Sequence, residues 1–157
     1  MKKTIAVLVE NHFGVLTHVS GLFSARGFNI DSLTVGETED PTISRMTIVV
    51  DGDEKTLEQV KKQLNRLIDV IRVIDLTAED FVDRELVLIK VRIDDKTRPE
   101  VLRIADTFQA KIDDVEKETF VIEATGDQNK VRSFIEILKP FNIVEIVRTG
   151  RIAMGRK

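Results

Sequence analysis

Cysteine, tryptophan and tyrosine are all missing from this chain, and proline occurs only three times in its 157 residues. Without cysteine there is no disulfide, no thiol nucleophile and no thiolate metal site. Without Tyr or Trp, only Phe is left as a platform on which a single-stranded nucleic acid could stack. An excess of one charge is missing too: 24 Lys and Arg face 27 Asp and Glu, for a formal net charge of −3, with the signs interspersed. That removes the basic footprint of a nucleic-acid binder. No apolar run approaches the roughly 18 residues of a membrane helix. The opening Met1-Lys2-Lys3-Thr4 leads straight into an apolar stretch with no small-residue cleavage site, the pattern of a cytoplasmic protein that begins on a strand. Catalytic signatures are equally scarce. Ser20, Ser24 and Ser44 have no G-x-S-x-G context and no histidine placed as a triad base. Neither a Walker loop nor a G-x-G-x-x-G occurs.

What is present is one alternation of strand and helix periods, written twice. Thr4 to Val9 predicts a strand with Ile5, Val7 and Val9 on one face. Val15, Leu16, Val19, Leu22 and Phe23 then recur at helical spacing. Gly27 reads as the glycine that ends this helix, with Phe28 as its apolar companion. Ile30 to Glu37 and Ile43 to Val50 predict two strands about a Glu39-Asp40-Pro41 turn. Asp53 can cap a second helix, whose stripe is Leu57, Val60, Leu64, Leu67 and Ile68. Val70 to Leu76 closes the half as a strand.

The second half repeats the order. Its elements are a strand over Glu85 to Ile93 and a helix with Pro99 in its first turn and Val101, Leu102, Ala105 and Phe108 inward. Strands over Lys111 to Val115 and Thr119 to Ala124 follow. Asp127 then caps a helix carrying Val131, Phe134, Ile135 and Leu138, with Pro140 past its end and a last strand over Ile143 to Thr149. Local echoes point to duplication: Val50-Asp51-Gly52-Asp53 matches Ala124-Thr125-Gly126-Asp127, and Val15-Leu16 matches Val101-Leu102. The fold class is α+β, two ferredoxin-like βαββαβ domains with antiparallel sheets and helices on one face. The domains are placed at 1–76 and 84–157, with 77–83 as a polar linker. The basic end, Arg148 to Lys157, reads as a frayed, solvated tail or else as a docking segment. Halves this short are marginal alone, so each is expected to lean on a neighbour or a partner chain.

In a βαββαβ unit the crossover rule makes strands one and three neighbours, expected to run parallel. Strand two is left on an edge with unpaired backbone groups. Pairing that edge with its copy gives one sheet across a two-fold axis, so a homodimer is expected. The turn from Glu10 to Gly14 enters the first helix, where free N–H groups and the helix dipole favour a carboxylate. A small amino acid would fit between that turn and the partner's edge strand. In Asn11-His12-Phe13-Gly14-Val15-Leu16, the glycine allows close backbone approach and the Asn amide both donates and accepts. The plainer reading of the same residues is a turn and a helix entry. Gly27-Phe28-Asn29-Ile30 is the second candidate, with a helix stop and a turn as its plainer reading. Glu10, His12 and His18 could be pictured as a metal site, but a strand end and a helix's second turn are expected to converge poorly, and no metal is expected.

The stretch Asn11 to Leu16, followed by Gly21-Leu22-Phe23-Ser24-Ala25-Arg26-Gly27-Phe28-Asn29-Ile30, resembles an ACT domain. More narrowly it resembles the regulatory small subunit of acetolactate synthase. Ser32-Leu33-Thr34-Val35-Gly36 and Ser44-Arg45-Met46-Thr47-Ile48-Val49 continue the pattern, and Arg148-Thr149-Gly150-Arg151-Ile152-Ala153-Met154 matches the family's end. His18 departs from it, standing where the family often has arginine. The resemblance implies an N-terminal ACT domain and a non-catalytic chain that carries no cofactor itself. A separate large subunit, with thiamine diphosphate, Mg and FAD, would join pyruvate to pyruvate or to 2-oxobutanoate. This chain would activate it and confer feedback inhibition by a branched-chain amino acid, valine above all. The implied effector residues are Asn11, His12, Phe13, Gly14, Val15 and Leu16 of one chain, with Asn29 and Ile30 reaching in from the other chain of a dimer. Two other classes compete: an ACT-type module regulating another enzyme or a transcription factor, and a small free-standing enzyme. The first has no helix-turn-helix segment and the wrong charge; the second lacks catalytic groups.

Overall fold

The computed structural model describes all 157 residues. They divide into two units, Met1–Val82 together with Arg151–Lys157, and Asp83–Gly150. The first unit runs β1 (Lys2–Glu10), α1 (Val15–Ala25), β2 (Ile30–Glu37), β3 (Ile43–Asp51), α2 (Glu54–Arg66) and β4 (Val70–Asp75). Its sheet order is β2-β3-β1-β4. β1 and β3 are neighbours as expected, but they run antiparallel, from Lys2 opposite Asp51 to Glu10 opposite Ile43. The helical crossover makes β1 and β2 run the same way; the hairpin then reverses β3, which inserts between them. The parallel expectation overlooked that reversal.

Ile5, Val7 and Val9 of β1 are buried with Val15, Val19 and Phe23 of α1 and Leu57, Val60 and Leu64 of α2. This apolar layer between sheet and helices is the main stabilising burial of the unit. The end of α1 follows from its sequence. Phe28 N–H donates to Phe23 C=O and Gly27 N–H to Ser24 C=O, and Gly27 takes φ +73°. The Phe23 and Phe28 rings meet edge-on at 6.5 Å, which completes the glycine-terminated cap.

Three expectations change. Ile68, placed on the α2 stripe, is 93% exposed because the helix stops at Arg66. Residues 77–83 are no free linker: a 3-10 turn covers Leu76–Ala78, and Thr77 Oγ1 accepts from the Thr4 N–H at 2.8 Å. The basic end is no frayed tail either. Residues Ile152–Gly155 form β9, which pairs with the strand that opens at Phe81, and Arg156 N–H donates to Asp80 C=O. Ala153 is buried with Ala6 and Leu76, next to Phe81. Arg45 donates to the Ala153 carbonyl at 2.9 Å. A small apolar residue and strand hydrogen bonds hold the tail down, and both are invisible in a stretch read for its charges.

The second unit carries β5 (Phe81–Arg92), α3 (Arg98–Thr107), β6 (Lys111–Val115), β7 (Thr119–Gly126), α4 (Gln128–Leu138) and β8 (Ile143–Arg148). Its order, β6-β7-β5-β8, repeats the first unit's topology. The sequence echoes share their environments. Val15 and Val101 are both buried, whereas Leu16 and Leu102, expected on the inward stripes, are 47% and 41% exposed because each lies one residue round the helix from its buried valine. Asp53 and Asp127 cap α2 and α4, accepting from Thr56 N–H and Lys130 N–H. No helix is long and apolar enough to cross a membrane.

The caps carry a pH dependence. The Thr56 amide and hydroxyl hold the Asp53 carboxyl below its usual range, and those of Thr97 do the same for Asp94, in the turn that precedes α3. A folded pKa lower than the unfolded one gives stability that is present above about pH 3.9 and lost as pH falls through the folded value. Melting temperature is therefore expected to decline below about pH 4, and less steeply in Asp53→Asn, which caps without titrating. Equal acid sensitivity of mutant and parent in melting curves from pH 6 to pH 3 would contradict this.

Candidate functional site

β1 delivers the chain at Glu10, and α1 begins five residues later, at Val15. Gly14 starts that helix at φ +89° and supplies no side-chain cap. A Cβ there would meet nothing within 4 Å, so the backbone angle alone requires glycine. The first-turn amides of α1 are thus left without a side-chain acceptor.

Asn11 ties the turn to the β2–β3 hairpin. Its N–H donates to Thr42 C=O at 2.7 Å, and its Nδ2 donates to Pro41 C=O at 2.9 Å and to Glu37 Oε1 at 3.3 Å. Both donors of the amide point into the chain, which leaves Oδ1 as the acceptor available to a ligand. Beside it lies a hollow of about 390 Å³ lined by Glu10, Asn11, His12, Thr42, Ile43 and Ile71. That size suits a small molecule.

Val15, inside the expected effector loop, has its side chain buried in the core, so only its backbone can take part; Phe13 is fully exposed and Leu16 half exposed. Asn29 and Ile30 lie elsewhere. Ile30 pairs with Val50, whereas Glu37 pairs with Ser44; Glu10, beside Asn11, pairs with Ile43. About seven strand residues, roughly 23 Å, therefore separate Ile30 from the Asn11 turn within one chain.

As expected, Glu10, His12 and His18 do not form one ligand set: Glu10 and His12 gather with Asp69 instead, a residue that sequence reasoning missed, and His18 reaches only Asp69. Asp69, buried at the entry to β4, places Oδ1 2.7 Å from His12 Nε2 and Oδ2 2.9 Å from His18 Nδ1. Glu10 Oε2 is 3.3 Å from the same His12 nitrogen. The Phe13 carbonyl, then Asp69 and Glu10, raise the His12 pKa; His18, then His12, lower that of Asp69. A lone aspartate between two apolar runs gave no signal of this role. Thr42 and Ile71 were missed for the same reason, since only the sheet brings three chain segments to one end.

The second unit has a larger hollow of about 600 Å³ at the corresponding strand end, lined in part by Arg92, Arg98, Lys117 and Asn142. There the chain supplies its own anion: Asp94 Oδ1 accepts from Lys96 N–H at 2.9 Å and Thr97 N–H at 2.8 Å. The helix entry of the first unit has no such internal carboxylate.

The first unit joins the β2-β3-β1-β4 sheet to a glycine entry into α1 without a side-chain cap, the ACT-like fold. Residues 5–72 match the family model described as an AHAS small subunit-like ACT domain. Residues 84–157 match the model described as the small subunit of acetolactate synthase. The acetolactate synthase small subunit of Aquifex aeolicus is 50% identical over 99% of this chain and 82% of its own length. That of Haemophilus influenzae is 46% identical over 99% and 96%. The crystal structure of the acetolactate synthase small subunit from Thermotoga maritima superposes with a TM-score of 0.90 at 44% identity, covering 100% of this chain and 98% of that one. The chain belongs to the family of acetolactate synthase small subunits, with a regulatory role.

Proposed function

We propose that the chain is the non-catalytic, feedback-sensing subunit of a cytoplasmic acetolactate synthase, binding valine at a site completed by a second copy of itself. The observation that carries this reading is the direction of β2. It is the outer strand of its sheet, next to β3 alone. An antiparallel pairing of β2 with its copy across a two-fold axis puts the partner's strand start beside this chain's Glu37. Glu37 already contacts the Asn11 amide. Asn29 and Ile30, remote from Asn11 within one chain, would then arrive from the partner at the rim of the hollow. The effector carboxylate would meet the backbone N–H groups of Gly14, Val15 and Leu16, and its ammonium group the Oδ1 of Asn11. His12, Phe13 and Leu16 would surround the aliphatic part.

The catalytic partner would be the large subunit, which would carry thiamine diphosphate, Mg and FAD. Sedimentation at micromolar concentration is expected to give a dimer, and pyruvate with thiamine diphosphate is expected to yield no acetolactate from this chain by itself. Added to the large subunit, the chain is expected to raise activity and make it valine-sensitive. A compact monomer, turnover by the lone chain, or a valine-blind holoenzyme would each refute the corresponding part.

A further inference from the structure

His12 is held in a way that its place on the effector loop does not explain. Its Nδ1 lies 3.1 Å from the Phe13 carbonyl oxygen. A carbonyl can only accept, so Nδ1 carries a proton, and Nε2 offers a lone pair to a metal once its own proton leaves. That nitrogen faces two carboxylate oxygens, Asp69 Oδ1 at 2.7 Å and Glu10 Oε2 at 3.3 Å. Protonated, His12 donates Nε2–H to Asp69 Oδ1, and a metal ion would take the place of that proton among the three groups. Their donor atoms all lie within 4.8 Å of one another, and neighbouring ligands around a tetrahedral ion with bonds of 2.0–2.1 Å stand about 3.3 Å apart.

We propose that Glu10, His12 and Asp69 form a site for a first-row divalent transition metal of the zinc or cobalt kind. One imidazole and two carboxylates suit such an ion, whereas calcium and magnesium prefer all-oxygen shells. The arrangement around the ligands is the one metal sites use. The His12 ring is oriented through its other nitrogen by a backbone carbonyl, and the far oxygen of Asp69 is held by His18 Nδ1 at 2.9 Å. Asp69 is anchored, its side chain only 8% exposed; Glu10, at 55%, can swing in to close the set. Since Glu10 and His12 also line the hollow, the ion would tie the loop after β1 to the entry of β4 at the hollow's wall. The site rests on these side chains and not on the valine reading.

The test uses the full-length chain without an affinity tag, stripped with a chelator and free of both valine and the large subunit. Titration with Co²⁺ is expected to develop visible d–d absorption saturating at one ion per chain at micromolar concentrations, and Zn²⁺ is expected to displace it. His12→Ala should weaken Co²⁺ at least about 100-fold. His18→Ala, which frees only the far oxygen of Asp69, should weaken it about 10-fold. Glu10→Gln, on an exposed side chain, serves if a histidine variant melts early. Absence of a d–d band up to about 1 mM Co²⁺, or His12→Ala and Glu10→Gln both binding like the parent, would overturn the site.

Discussion

Asn11→Ala, reconstituted with the large subunit, is expected to need about 10- to 100-fold more valine for half-inhibition. In the proposed complex Asn11 Oδ1 accepts from the effector's ammonium group. Losing a hydrogen bond to a charged group costs roughly 1.5–3 kcal/mol, and each ~1.4 kcal/mol is a tenfold change in affinity. The mutation also removes two exposed hydrogen bonds, to Pro41 C=O and Glu37 Oε1. Exposed bonds of that kind contribute little net stability, so the melting midpoint should move by only a few degrees. Activation of the large subunit should survive. Unchanged valine inhibition would move the effector elsewhere; a large fall in melting temperature would make Asn11 chiefly a staple between the turn and the hairpin.

Phe23→Ala is expected to produce the largest loss of stability among single changes in the first unit. Phe23 has no exposed surface and packs between the sheet and α2. Its carbonyl also accepts the Phe28 N–H that closes the end of α1. Removing a buried Phe side chain costs about 3–5 kcal/mol. For a unit of this size that is a fall of about 12 °C or more in melting temperature. Leu16→Ala is the contrast: half exposed on the same helix, it should change the midpoint by no more than a degree or two. Calorimetry on the two variants decides the matter, and a Phe23→Ala midpoint close to the parent's would mean that the α1 packing described above is wrong.

The order of strands and helices, both aspartate caps, the glycine stop of α1 and the membership of two core layers were legible in the sequence. They rest on period and on local chemistry, which act over a few residues: a stripe at 3.6, an alternation at 2, a carboxylate three residues before an amide. The Asn11 to Leu16 turn was legible for the same reason, as were the matched environments of Val15 with Val101 and of Asp53 with Asp127.

What only the tertiary structure decided involves segments far apart in the chain. The direction of β3 against β1 depends on which strand inserts between β1 and β2, and periodicity carries no information on that. Ala153 is a small residue in a basic stretch, and its burial beside Ala6 and Leu76 needed the end of the chain to return across more than a hundred residues to the first sheet. The same holds at the site. His12 and His18 are six residues apart, but they converge only because β4 brings in Asp69, 51 residues beyond His18. Local rules could place each side chain on an element. Long-range strand pairing determined which of them meet.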